Sequence, residues 1–226
     1  MRGARPSVAA RALRALAGAL ALALAHAAAA RPAGPAHAFR PAQGVPADAP
    51  AAFEFEMNGF AYRVASNGNG RRTKGDRTRH FNLRLEGQTR LGASVYFAEY
   101  EGDLLLAYEV TDGVNAGGRV TRLLQPSMRA LWNANLPRGR PGPPAREGRF
   151  LYLTAAGFVG RLDLAGGAWA WSHDDLLGRG REGAFASFAA PEPSGDEVLF
   201  REAPVYNGRA LTVFAEKRSG KIKRVE

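Results

Sequence analysis

Three short apolar runs crowd into the segment Gly148–Asp175, GRFLYLTAAGFVGRLDLAGGAWAWSHDD: Phe150–Thr154, Phe158–Leu164 and Ala168–Trp171. Ala-Ala-Gly and Ala-Gly-Gly separate them. Each run is too short for a stable helix, and glycine supplies the positive φ that a tight hairpin turn needs. The segment therefore predicts three antiparallel strands in about 28 residues. A sheet this thin has to find cover for its faces elsewhere in the chain.

The chain continues in the same manner on both sides. Phe53–Val64 predicts a hairpin around Met57-Asn58-Gly59, and Phe81–Leu85 alternates as a half-buried strand. Ser94–Tyr100 and Leu104–Val110 form a second hairpin, followed by a loop at Asp112–Gly118 and strands at Arg119–Leu124 and Arg129–Ala134. Leu136–Glu147 is a Pro/Gly-rich loop, and Leu176–Glu182 is a polar connection. Phe185–Ala189, Glu197–Glu202, Arg209–Ala215 and Lys221–Val225 complete the strands. With 27 glycines and 14 prolines in 226 residues, and no amphipathic helical period of useful length, the class is all-β.

The N-terminus is read separately. Arg2, Arg5, Arg11 and Arg14 precede eleven apolar residues, Ala15 to Ala25, and then small residues that offer cleavage after Ala27, Ala30 or Ala38. Residues 1–30 are thus expected to be a secretory signal peptide, because the apolar run is shorter than the about 20 residues a span requires. No paired arginine precedes it, which favours general export over the twin-arginine route. Without those four arginines, 27 basic residues remain against 21 acidic ones, so the formal +10 falls to about +6 and a nucleic-acid partner is not expected. The chain has no cysteine, hence neither a disulfide nor a lipid-anchor thiol. A periplasmic or secreted protein with no transmembrane segment after signal removal is the expectation. Residues 31–52, rich in Pro and Ala, are expected to be a disordered linker, and residues 53–226 the folded domain.

The chain also repeats itself. Leu162-Asp163-Leu164-Ala165-Gly166-Gly167-Ala168-Trp169-Ala170-Trp171 reads as strand, turn, strand and terminal Trp. Leu123–Trp132 has the same spacing, and Ala215–Arg224 has it again with Arg in place of Trp. The end positions 132, 171 and 224 lie 39 and 53 residues apart, and a weaker copy at Leu85–Ser94 would place another at 94. A period near 40 with about four strands per unit belongs to propeller blades, which stack because none buries both faces alone. The terminal Trp would fill the gap between neighbours.

On Leu162, Asp163, Gly167 and Trp171, with Leu123, Ser127 and Trp132 matching partly and Glu216, Ser219, Gly220 and Lys221 fitting the turn, the motif resembles the pyrroloquinoline-quinone-like β-propeller repeats. The likeness covers about 130 residues, from Ser94 onward. Antiparallel propeller-like repeats of four-stranded sheets are expected, three clear units plus an N-terminal sheet. A four-unit disc, an open arc, a sandwich and ordinary hairpins with shared turn chemistry all remain open. The family's dehydrogenases use a complete eight-bladed disc, a vicinal disulfide and calcium. This chain has no cysteine and too few units, so no cofactor is expected. The resemblance implies the non-catalytic branch, whose exported members act as scaffolds in envelope assembly.

Two clusters carry candidate chemistry. In Ser172-His173-Asp174-Asp175, strand neighbours point to opposite faces and cannot align as nucleophile, base and orienter. His173 and Asp175 share a face, but two ligands do not make a metal site. No catalytic or metal residue is assigned, and His173, Asp174 and Asp175 are retained as a binding loop. The basic, Gly-rich segment 66–80, unstructured by pattern, carries Arg71, Arg72, Lys74, Arg77, Arg79 and His80. It could meet an anionic lipid surface or an acidic partner, with Arg71, Arg72 and Lys74 as binding candidates. Trp169 and Trp171, two apart, are expected to share a face as inter-blade core. The function expected is that of an exported, non-enzymatic scaffold or binding module of the bacterial cell envelope, with a protein or envelope polymer as partner. The alternative is a periplasmic hydrolase or metal-binding enzyme centred on His173, Asp174 and Asp175.

Overall fold

Four antiparallel sheets follow one another along the chain in a computed structural model that describes residues 39–44, 52–179, 182–203 and 209–226. The expected signal peptide, its cleavage sites and the rest of the expected linker lie outside these residues. The strands are β1 (Arg40–Pro41), β2 (Gln43–Gly44), β3 (Ala52–Met57), β4 (Phe60–Ala65), β5 (Asn69–Lys74) and β6 (Arg77–Asn82). Then come β7 (Arg90–Tyr100), β8 (Asp103–Thr111), β9 (Ala116–Leu123), β10 (Ala130–Leu136), β11 (Ala145–Glu147), β12 (Phe150–Ala155), β13 (Phe158–Asp163) and β14 (Ala168–His173). The last four are β15 (Glu192–Ser194), β16 (Glu197–Arg201), β17 (Thr212–Glu216) and β18 (Ile222–Val225).

The first sheet runs β2-β3-β4-β5-β6, the second β1-β7-β8-β9-β10, the third β11-β12-β13-β14 and the fourth β15-β16-β17-β18. The chain is all-β, with propeller-like four-stranded repeats, and the first two sheets each gain a short fifth strand. Those extra strands come from Phe39–Gly44, within the expected linker. Arg40-Pro41 pairs with β7 and Gln43-Gly44 with β3, so this strap crosses from the second sheet to the first.

Alternation decides what each face meets. Phe55, Tyr62, Phe97, Leu104 and Leu106 build an apolar cluster between the first and second sheets. Leu105, Ala107, Val120, Leu151, Leu153 and Leu162 build the next, with Phe39 packed against it. Tyr152, Val159, Trp171, Val198 and Phe200 join the third sheet to the fourth. A strand whose two faces feed two clusters reads as a continuous apolar run, as β8 and β12 do. The end sheets turn charge outward instead: Glu54 pairs with Arg63 at 3.2 Å, and Arg224 lies 3.6 Å over the Phe214 ring. A polar outer face is what a terminal repeat needs.

Several local expectations change. Segment 66–80 is no loop: Asn69–Lys74 and Arg77–Asn82 pair as a hairpin, fixed because the Phe81 ring packs flat on Gly70, where a Cβ would sit 2.2 Å from it. The strand expected at Phe81–Leu85 ends at Asn82, since Arg84 takes φ 52°. Phe185–Ala189 is apolar but makes only the Phe188–Glu202 bridge; the Glu202 carboxylate accepts the Phe185 N–H at 2.7 Å, which replaces a ladder partner. Strand β11 falls in the stretch expected to be a loop, and β15 in residues to which no element is assigned from sequence. Ser94 sits within β7, so the weak copy ending there is not a repeat position.

Candidate functional site

Register shows what the repeat is for. On the third strand of three successive sheets stands an arginine: Arg72 in β5, Arg122 in β9 and Arg161 in β13. Opposite them on the fourth strand lie Arg79, Trp132 and Trp171. Arg122 Nη1 and Trp132 Nε1 both donate to the Leu164 carbonyl of the next sheet, at 3.1 and 3.2 Å. Arg161 Nη1 and Trp171 Nε1 both donate to the Lys217 carbonyl, each at 2.8 Å. Arg72 Nη2 reaches the Pro126 carbonyl at 3.3 Å, and its Nη1 also bonds Gln125 Oε1. In the fourth sheet Phe214 and Arg224 face each other in place of the Arg/Trp pair.

The indole rings land on glycine. A Cβ on Gly167 would lie 2.5 Å from Trp132 Cδ2, and one on Gly220 2.6 Å from Trp171 Cδ2, with both glycines at positive φ (71° and 75°). The expected wedge between sheets is therefore present at both tryptophans. Its aim comes from an extra residue on the fourth strand, Leu131, Ala170 or Lys223, at a register shift in each of the last three sheets. That shift corrects the expectation for Trp169 and Trp171: Ala170 is bulged, so Trp169 packs edge-on to Phe158 in the second cluster while Trp171 enters the third. Sequence reasoning missed Arg122 and Arg161, although each stands ten residues before its tryptophan.

Arg122 carries the most elaborate joint. It meets Asp103 at 2.8 Å and Glu101 at 3.1 Å and stacks over Tyr100 at 4.7 Å. At the next joint, burial pushes the Tyr152 hydroxyl from 10.0 up to about 12, the charge of Arg161 opposing it.

The loop His173-Asp174-Asp175 does not converge. His173 Nε2 lies 2.7 Å from the Gly220 carbonyl; since a carbonyl only accepts, that nitrogen carries the proton and ties the third sheet to the fourth. Asp175 bonds Arg179, which holds its carboxyl below the ordinary carboxylate range, and Asp174 is exposed. Among the described residues no group of three His, Cys, Asp or Glu side chains is placed to hold a metal ion.

The basic candidates divide between two faces. Arg72 and Lys74 lie over the Phe60 ring at 4.4 and 4.9 Å and share their face with Arg77 and Arg79. These border a groove of about 870 Å³ that also meets Pro126. Arg71 sits on the opposite face beside Arg63, at a cavity of about 690 Å³ under the Arg40–Gly44 strap. A third cavity, about 480 Å³, opens between Tyr96, Arg140 and Ser187. Burial raises the Tyr96 hydroxyl there, against the pull of Arg140.

Stacked four-stranded sheets joined by Arg/Trp-to-carbonyl ties define a β-propeller-like repeat protein. No family model matches the chain, and no curated protein does either. Among solved structures it is similar to BamB from Moraxella catarrhalis, at 12% identity and TM-score 0.37, over 76% of this chain and 62% of that one. It is also similar to apo AztD from Citrobacter koseri, at 9% identity and TM-score 0.33, over 82% and 71% of the two chains. The computationally designed Ika8 protein matches at 8% identity and TM-score 0.29, over 76% and 85%. The chain thus spans less than two thirds of the length of that BamB. No helix among the described residues is long and apolar enough to cross a membrane.

Proposed function

We propose that this chain is an exported, non-enzymatic binding module or scaffold of the bacterial cell envelope, built from repeats of the pyrroloquinoline-quinone-like kind without the quinone. One observation carries the reading. His173, the side chain a hydrolytic or metal centre would need most, is committed to the Gly220 carbonyl as a joint between sheets. The same holds for Arg122 and Arg161, whose guanidinium groups bind main-chain oxygens of the next sheet. What remains open to a partner is a series of rigidly held loops and strand edges, the usual place for recognition on a scaffold.

The test is the triple substitution His173→Ala, Asp174→Ala, Asp175→Ala, with metal uptake and thermal unfolding measured on both proteins. A module loses melting temperature, through the His173 joint, and binds no divalent ion in either form. Tight metal binding by the unaltered chain that vanishes in the variant overturns the proposal in favour of the enzyme reading. Export is checked by N-terminal sequencing of the chain from a periplasmic fraction, with a start after Ala27, Ala30 or Ala38 expected.

A further inference from the structure

The hairpin β5–β6 contains an arrangement that folding alone does not account for. Arg72 stands directly across from Arg79, and Lys74 from Arg77, on one face of the hairpin. Like charges directly opposite on a sheet oppose its formation. Arg77 and Arg79 have no carboxylate partner among the described residues, and Asp76 is the single acid bordering their groove. Arg77, Thr78, Arg79 and His80 are all exposed, so this part of β6 rests on nothing by either face. It also ends the sheet, so that among the described residues no strand neighbours its outward main-chain groups.

We propose that the free edge of β6 receives an extended acidic peptide segment of a partner protein, added to the first sheet as another strand. Alternate residues of a strand lie about 6.6–6.8 Å apart, so acidic side chains at every second position of the added strand would fall opposite Arg77 and Arg79 in register. Cross-strand neighbours approach to about 5 Å, within ion-pair reach for these long side chains. Lys74 and Arg72, one strand further in, extend the positive field over the Phe60 and Pro126 floor of the groove. A lipid headgroup would use the charge but not the main-chain edge. Nor does the hairpin carry a side chain to enter a bilayer: the exposed large apolar residues among those described, Val114, Leu131, Leu177 and Val225, all lie elsewhere. The inference rests on reading the chain as a protein-binding module and names the chemistry of one partner.

The experiment uses the exported chain and a blocked ten-residue peptide of alternating Glu and Thr. Its controls are the same peptide N-methylated at alternate residues, a Lys/Thr counterpart, and vesicles containing phosphatidylglycerol. Binding of the Glu/Thr peptide is expected, weakening with salt and lost on N-methylation. Arg77→Gln with Arg79→Gln should weaken it about tenfold, since two charge pairs are removed. Arg218→Gln, an exposed cation on another sheet, should leave it unchanged. The pair Arg77→Glu with Arg79→Glu should transfer preference to the Lys/Thr peptide, which keeps the test informative if the neutral variant loses structure. Equal binding of the N-methylated peptide, or binding to vesicles without the peptide, overturns the proposal. So does binding of neither, which would make the cations a guard against edge-to-edge aggregation. None of these outcomes touches the module reading itself, whose failure would appear as metal uptake at His173.

Discussion

Replacing Trp171 and Gly220, singly and together, tests the joint between the third and fourth sheets. Trp171 is 9% exposed, lies edge-on to Phe200 at 6.2 Å, and donates to the Lys217 carbonyl. Truncating a packed tryptophan to alanine costs about 3–5 kcal/mol. The lost hydrogen bond adds little, because Arg161 still holds the same oxygen at 2.8 Å. For a chain of this size that is a fall in melting temperature of roughly 6–20 °C. Gly220→Ala meets two penalties: about 1–2 kcal/mol for a left-handed φ and about 1–3 kcal/mol for a Cβ driven into the indole. In the Trp171→Ala background only the first survives. The double variant should therefore be less damaged than the sum of the singles by about 1–3 kcal/mol. Urea unfolding followed by far-ultraviolet circular dichroism measures all four proteins without relying on indole emission. Additivity within about 0.5 kcal/mol would mean that the ring does not rest on Gly220, and the account of the repeat would fall with it.

Two further predictions concern buried polar groups. Arg122→Ala strands the buried Asp103 carboxylate and should cost about 3–5 kcal/mol, against no more than about 1 kcal/mol for Arg149→Ala at the exposed pair with Asp163; equal costs in chemical denaturation would refute the distinction. Tyr152 ionises in the folded protein only near 12, above its ordinary 10.0, so its contribution to stability is complete below pH 10 and lost as pH climbs from 10 through 12. Burial raises Tyr62, Tyr96, Tyr100 and Tyr108 in the same direction, so Tyr152→Phe should flatten the alkaline loss of melting temperature without abolishing it.

Much of the fold was legible because its signals are local. Asn58-Gly59 at φ 54° and 71° closes the hairpin its sequence suggests, and the strands around Gly157 and Gly167 fall where the apolar runs do. The spacing of Trp132 and Trp171 likewise announced a wedge that the sheets contain. What escaped depends on partners far away in the chain. The hairpin bearing Arg71, Arg72 and Lys74 has no apolar alternation, and pairing with β4 and the seat of Phe81 on Gly70 hold it instead. The bulge at Ala170 reverses every side chain beyond it, and no composition rule foretells a one-residue slip. The Phe185–Ala189 segment is apolar enough for a strand, yet the Glu202 carboxylate, 17 residues on, takes the Phe185 N–H in place of a ladder partner. For the same reason the candidate loop at His173 looked reactive in sequence: its partner, Gly220, is 47 residues away.

The acceptors in these joints are main-chain oxygens, those of Leu164 and Lys217, and every amino acid carries one. The hydrogen bond therefore dictates no side chain at position 164 or 217; Leu164 is held instead by its burial in the second cluster and Lys217 by its pair with Glu147, while Gly167 and Gly220 keep the backbone low enough for a ring to settle on it. The donors have less latitude, since each must carry an N–H far enough to reach that oxygen while its flat group packs between the sheets. Across homologues, residue identity should drift more at position 217, whose side chain pairs with the half-exposed Glu147, than at the buried position 164 or at Arg161 and Trp171.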